Sequence, residues 1–311
     1  MRSLVLFLCL HSSLIVGCAS RSGYNVEKNI ESEFKFSSKF LTVGDYKVHY
    51  IDEGKGDPIL LLHGNPTNVY LWRNIVPNLS LRHRVLAIDL IGLGKSDKEY
   101  KKNLFYVNQE MLRKFIEKMK LKKLVIVGHD WGGALAYDYA SRNDLKGLVL
   151  IEPVRPKKRL DSFFGRVLWK TSFLEWYMVS KNYFVETMIP SLTARSLTDQ
   201  ELDNYRRPVK SEEDRLTTYK WWTLLPFESE KAELFPVLNK SLSTVAKSGL
   251  SKLFIVANPG VIITKKIESR FKETFKNTIF INIGDGKHFL QESHPKKISR
   301  AIIGWNEKHN N

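Results

Sequence analysis

Cysteine is nearly absent. Of 311 residues only Cys9 and Cys18 are cysteines, so the body of the chain can carry neither a disulfide framework nor a cysteine-ligated metal. No apolar run reaches the roughly 18 to 20 residues that a membrane-spanning helix needs, which argues against an integral channel or transporter. The formal charge is +16, yet no segment combines clustered basic residues with interleaved aromatics, so no nucleic-acid partner is indicated. The excess is spread along the chain and reads as a solvated basic surface. Metal-ligand spacings and a glycine-rich dinucleotide loop are missing too, so no metal and no cofactor are expected. What is present is 43% hydrophobic and 12% aromatic residues. That is enough to offset chain entropy, and it excludes intrinsic disorder. The length suits one globular domain, or one domain with a large insertion.

Both cysteines fall in Met1–Ser20, which reads as an export signal. Arg2 is the positive start, Leu4–Leu10 the apolar stretch, and small residues follow around Gly17. Ile15-Val16-Gly17-Cys18 resembles a bacterial lipobox. That resemblance implies cleavage before Cys18, lipidation of its thiol, and an exported lipoprotein held at the membrane on the periplasmic or outer side of the cell envelope. Residues 1–17 are then the signal, and 18–34 a polar tether without periodicity. The basic surface would face anionic headgroups, an attraction weakened by salt.

Beyond the tether, short β-runs alternate with helical periods. Lys39–Val43 and Tyr46–Asp52 flank a Gly44-Asp45 turn and predict a hairpin. Pro58–His63 is continuously apolar, as befits a strand buried on both faces. Arg84–Asp89, Lys123–Val127, Gly147–Ile151, Lys252–Ala257 and Thr278–Ile283 are further strand candidates. Met111, Leu112, Phe115, Ile116 and Met119 mark one helix face; Ala134–Ser141 and a segment opened by Pro295 are other helices. This alternation predicts an α/β fold: a mostly parallel, eight-stranded sheet with helices on both faces. The stretch 153–239 has no clear strand and is rich in aromatics, among them Phe163, Trp169, Phe173, Trp176, Trp221 and Trp222. Thr198-x-x-Glu201 within it is a capping box. It reads as a helical cap inserted after the sixth strand, over a core of 35–152 plus 240–311.

Gly128-His129-Asp130-Trp131-Gly132-Gly133 joins a strand to a helix. Small residues two before and two after a central side chain are the nucleophile elbow of α/β-hydrolases, here with Asp130 at the centre. The competing reading is a glycine-rich helix start capped by an Asp. His63-Gly64-Asn65-Pro66, after the third strand, stands where such hydrolases supply a second oxyanion-hole N–H. His288, on the glycine-loosened loop Gly284–Phe289, is the candidate general base. His63 and His129 sit inside tight turns and read as structural. The acid that orients the base could follow the sixth or the seventh strand. Asn258–Ile262 offers no carboxylate, so Glu152, at the end of the sixth strand, is the candidate.

Taken in order and spacing, residues 63–77, Asp89–Lys98, Gly128–Gly133, Ile151–Pro156, Leu197–Pro208 and Gly284–Glu292 resemble the landmarks of haloalkane dehalogenases, across about 35–307. The likeness is to the subgroup that pairs an Asp nucleophile with a Glu after the sixth strand. It implies hydrolysis of carbon–halogen bonds in small apolar halogenated substrates, releasing alcohol, halide ion and a proton, with water as co-substrate. It also implies that Asn65 and Trp131 form the halide-binding pair. Two features depart from the family pattern: the export signal, and a cap carrying Lys157-Lys158-Arg159 right after Ile151–Pro156. Epoxide hydrolysis on the same scaffold stays open, with Tyr177, Tyr183, Tyr205 or Tyr219 as ring-opening acids. So does a luciferase-like or non-hydrolytic relative.

Overall fold

The structure, a computed structural model, describes residues 23–157, 171–225 and 233–308. The segment Met1–Ser20 with both cysteines, and the cap residues Phe163, Phe164, Trp169 and Phe227, lie outside the described residues.

Strands β1 (Lys39–Val43) and β2 (Tyr46–Glu53) form the hairpin, turning at Gly44 with φ +61°. Six more strands follow: β3 (Pro58–Leu62), β4 (Arg84–Ile88), β5 (Val125–His129), β6 (Gly147–Ile151), β7 (Lys252–Pro259) and β8 (Thr278–Gly286). The sheet has eight strands in the order β1-β2-β4-β3-β5-β6-β7-β8. Only β2 runs antiparallel to its neighbours beyond the hairpin; every pair from β4 to β8 is parallel. β3, β5 and β6 are buried throughout, as sheet centres covered on both faces must be.

From β3 the chain steps outward to β4, then returns past β3 to β5. The winding therefore reverses between β3 and β5, and ligands bind beyond the strand ends at such a switch point. The register sets Leu62 beside Gly128, which brings the turns carrying Asn65 and Asp130 together.

Among the helices are α1 (Leu104–Lys118), α2 (Trp131–Ala140), the cap helices α3 (Ser172–Ser180), α4 (Asp199–Arg206) and α5 (Glu212–Thr223), then α6 (Leu234–Lys247), α7 (Lys265–Thr274) and α8 (Pro295–Lys308). The Thr198/Glu201 capping box is formed, and Ser211/Asp214 makes a second one. One apolar layer joins the sheet to α1, α2 and α6 through residues such as Phe115, Leu135 and Leu238; the other joins it to α8 through Ile298, Ile302 and Trp305.

Several boundaries differ from the sequence reading; β7 and β8 run on to Pro259 and Gly286, so Gly284–Gly286 belong to the strand and not to the loop that carries His288, and four further differences have physical causes. β5 begins two residues later, at Val125, because Lys123 has φ 51°, a conformation no strand interior accommodates. α2 begins at Trp131 rather than Ala134. Its first turn lies so close to β3 that a Cβ on Gly132 would stand 2.2 Å from the Leu62 carbonyl oxygen. The expected cap–core break at 239/240 falls inside the single helix α6, whose Leu234 and Leu238 already belong to the core. Finally, the part of the expected tether from residue 23 is laid on the body. Glu27 accepts the Lys296 and Lys297 amides at the start of α8, Arg73 Nε donates to the Glu31 carbonyl, and Phe34 and Phe36 pack on the apolar layers. The polar spacing hid this because most of those bonds are to backbone.

Candidate active site

Asp130 has φ 52° and ψ −121°. A non-glycine residue is held there only when its surroundings over-determine it. Its main chain is pinned by the Ala134 and Val154 amides, both donating to its carbonyl at 3.1 and 2.9 Å. Its side chain makes no cap bond to α2, so it is not a capping Asp. The carboxylate instead points across the switch point. Oδ1 accepts the Asn65 N–H at 3.0 Å, and the Trp131 amide, at the start of α2, helps hold the carboxylate in its charged form. Gly64 is required beside it: a Cβ there would lie 2.3 Å from Oδ1. Burial pushes the Asp130 carboxyl up, but His288 and the Trp131 amide outweigh this and hold it below its ordinary value. It is therefore ionised.

Oδ2 of Asp130 faces His288 Nε2 at 3.5 Å, and His288 Nδ1 faces Glu152 Oε2, also at 3.5 Å. The three side chains read as separate motifs in the sequence thus converge in one buried line. Burial opposes charge on the imidazole, yet the two carboxylates raise its pKa to about 9. His129 packs against it with ring centroids 4.6 Å apart. Burial, then the neighbouring His288, depress His129 to about 3, so it stays neutral and donates Nε2–H to the His288 carbonyl at 3.1 Å. His63 is also buried; its Nε2 accepts the Leu90 amide at 3.1 Å. His129 is thus the last residue of β5 rather than part of a turn, and each of the two rings spends Nε2 on a backbone group.

Glu152 is fully buried and also has positive φ, 44°. Sequence reasoning noted that the loop after β7 lacks a carboxylate but missed what that loop supplies. The amides of Val261, Ile262 and Ile263 donate to Glu152 at 3.0, 2.6 and 3.1 Å. Three N–H donors satisfy both oxygens of this buried carboxylate with no cation beside it. The available signal was Pro259-Gly260 where the strand ends; Gly260 has φ +67°, and a Cβ there would meet the Ile263 carbonyl at 2.6 Å.

Trp131 is buried against Phe105 and against Trp221 of α5, whose ring centroid is 5.0 Å away. The Trp221 indole N–H has no acceptor among the described residues; in the sequence it was one cap aromatic among many. Asn65 Nδ2 donates to the Thr218 carbonyl of α5 at 3.1 Å. That uses one of its two protons and leaves the second for a ligand. The cap thus closes directly over the switch point. Of the tyrosines considered as ring-opening acids, Tyr205 spends its hydroxyl on Glu292 at 2.5 Å. Among the described residues, no group of three or more His, Cys, Asp or Glu side chains is arranged to hold a metal.

The reversal of strand order, the strained Asp130 turn and a histidine delivered after β8 define the class, an α/β-hydrolase. The family model for the alpha/beta hydrolase fold matches residues 57–188. The chain is 32% identical over 276 residues to the haloalkane dehalogenase of Mesorhizobium japonicum, covering 85% of this chain and 89% of that one. Its identity to the haloalkane dehalogenase of Mycolicibacterium smegmatis is 34% over 283 residues, with 86% and 90% covered. The crystal structure of the haloalkane dehalogenase DbeA from Bradyrhizobium elkani matches with a TM-score of 0.83 at 30% identity, over 89% of this chain and 99% of that one. The chain belongs to the haloalkane dehalogenase family.

Proposed function

We propose that this protein hydrolyses carbon–halogen bonds of haloalkanes, with Asp130 as nucleophile, His288 as general base, Glu152 as its orienting acid, and Asn65 and Trp131 as halide donors. The observation that carries the reading is the Asp130 carboxylate: ionised, buried, bonded to the Asn65 amide, and facing His288. Attack on saturated carbon needs a leaving group and an oxygen nucleophile whose adduct can still be hydrolysed. A carboxylate leaves an ester, which water can cleave; a serine would leave an inert ether. Displacement forms the Asp130–carbon bond and breaks the carbon–halogen bond, with the electron pair leaving on the halide. The halide enters a dry pocket, where the Trp131 indole N–H and the remaining Asn65 amide proton can receive it without a competing positive charge.

Hydrolysis of the ester is acyl chemistry. Water attacks the Asp130 carbonyl carbon as His288 takes its proton, and the developing oxyanion rests on the Asn65 and Trp131 amides. Collapse expels the alcohol and restores the carboxylate beside a protonated His288. Asp130→Asn should reduce halide release from a short bromoalkane to background with unchanged circular dichroism. Release at the parental rate would remove Asp130 from this role.

For location, our reading remains export and lipidation at Cys18, which rests on Leu4–Leu10 and the lipobox-like Ile15–Cys18. Cys18→Ser should shift the protein from the membrane fraction of expressing bacteria to the soluble one. An unacylated parent, by mass spectrometry, would end that reading.

A further inference from the structure

The contacts of the His288 imidazole are long, 3.5 Å to each carboxylate. The contacts of its backbone are not. The His288 and Phe289 amides both donate to the Leu192 carbonyl of the cap, at 3.0 and 3.2 Å. The His288 carbonyl accepts the Leu290 amide at 3.0 Å and the His129 ring at 3.1 Å. The position of the base is therefore set by how its loop seats against the cap.

Four residues further on, Glu292 is completely buried at the junction of core and cap. Arg73, from the core loop after β3, grips it with two bonds of 2.6 and 2.8 Å. From the cap side, Arg195 Nη2 reaches the same carboxylate at 2.8 Å, and Arg195 Nε donates to the Glu292 carbonyl. Both guanidinium groups also bond Glu201 at the start of α4, Arg73 at 2.9 Å and Arg195 at 2.6 and 2.8 Å. Two arginines and two glutamates thus alternate in one largely buried cluster. Such clusters are weak sources of net stability, because desolvation offsets the attraction. They do specify geometry, since planar forks match carboxylates in few orientations.

We propose that Arg195 and Glu292 are positioning residues: the cluster clasps the cap to the 288–292 loop and so sets His288 against Glu152 and the Asp130 ester. This deepens the dehalogenase reading and rests on it. The reaction has two steps with different needs. Ester formation needs Asp130 and the halide donors; ester hydrolysis also needs the base in place. Loosening the clasp should slow only the second step, and a displacement on the order of 1 Å can cost about a hundredfold.

The test uses the full chain with Arg195→Gln, chosen because the Arg195 side chain retains 15% exposure, together with Arg195→Lys and Tyr205→Phe. Rapid mixing with excess 1-bromobutane should give one full equivalent of bromide in the burst, then turnover reduced at least tenfold. Mass spectrometry should show a butyl adduct on Asp130. Arg195→Lys, which keeps the charge, should recover part of the turnover, and Tyr205→Phe, which removes one bond to Glu292, should show the same split in milder form. Burst and turnover falling together, or neither changing, would overturn the clasp. If Arg195→Gln does not fold, the other two variants decide by the same criteria. A substrate-free measurement separates this from the dehalogenase reading. By NMR, the His288 titration, set by Asp130, Glu152, His129 and burial, should move down from about 9 in the variants. A parent that releases no bromide would sink the dehalogenase reading, and an unmoved midpoint would then sink the clasp on its own.

Discussion

The proton of the overall reaction should leave with the halide, not with the alcohol. In the resting site His288 lies between two carboxylates that raise its pKa to about 9. At pH 8 about nine-tenths of it is therefore protonated. Alkylation turns Asp130 into a neutral ester, which removes the first of the groups that raise the imidazole pKa and leaves burial, which lowers it, in force. The pKa falls and the proton departs, which also makes His288 the neutral base that hydrolysis requires. Hydrolysis then returns a proton to His288 from the attacking water, so the second step is proton-neutral toward solvent. The assay is rapid mixing with excess bromoalkane in weak buffer, following bromide and a pH indicator together. At pH 8 more than about half a proton per site should appear in the bromide burst. At pH 10 the resting imidazole is already mostly neutral, and the proton burst should shrink to about a tenth. A full bromide burst at pH 8 with protons appearing only alongside alcohol would refute the reasoning. The same shift affects stability. A raised imidazole pKa contributes stability that is complete below about 6.5 and is lost as pH rises through about 9.

Two substitutions test the rest of the site. Trp131→Phe keeps the packing against Phe105 and Trp221 but loses the indole N–H. A hydrogen bond to a charged group is worth about 1.5–3 kcal/mol, so inhibition by bromide should weaken about tenfold or more, and an unchanged inhibition constant would count against Trp131 as a halide donor. Gly64→Ala would set a Cβ 2.3 Å from Asp130 Oδ1; the bromide burst should slow about a hundredfold as the nucleophile is displaced, and an unaltered burst rate would show that its placement tolerates the methyl.

The helical cap illustrates how differently its parts could be read. Its capping boxes at Thr198 and Ser211 are local devices, formed by residues three apart. Its closure over the site is not local: Thr218 to Asn65, Leu192 to His288 and Arg195 to Glu292 each join residues about a hundred or more positions apart. No periodicity in the chain encodes such pairs, and the aromatic richness of the cap said only that something apolar is covered.

The sequence by itself determined the strand–helix alternation, the place of the cap, and the turns that carry Asp130, Glu152 and His288, because period, turn chemistry and glycine placement act over a few residues. Only the tertiary structure decided the geometry and charge of that set. It placed Glu152 on three amides of a loop that looked empty of chemistry, set His288 between two carboxylates that raise its pKa, and carried the base on a loop held by the cap. The physical reason is that desolvation and Coulomb attraction depend on what the folded chain brings within a few ångströms, and backbone amides, present at nearly every residue, leave no mark in a sequence until the fold aims them.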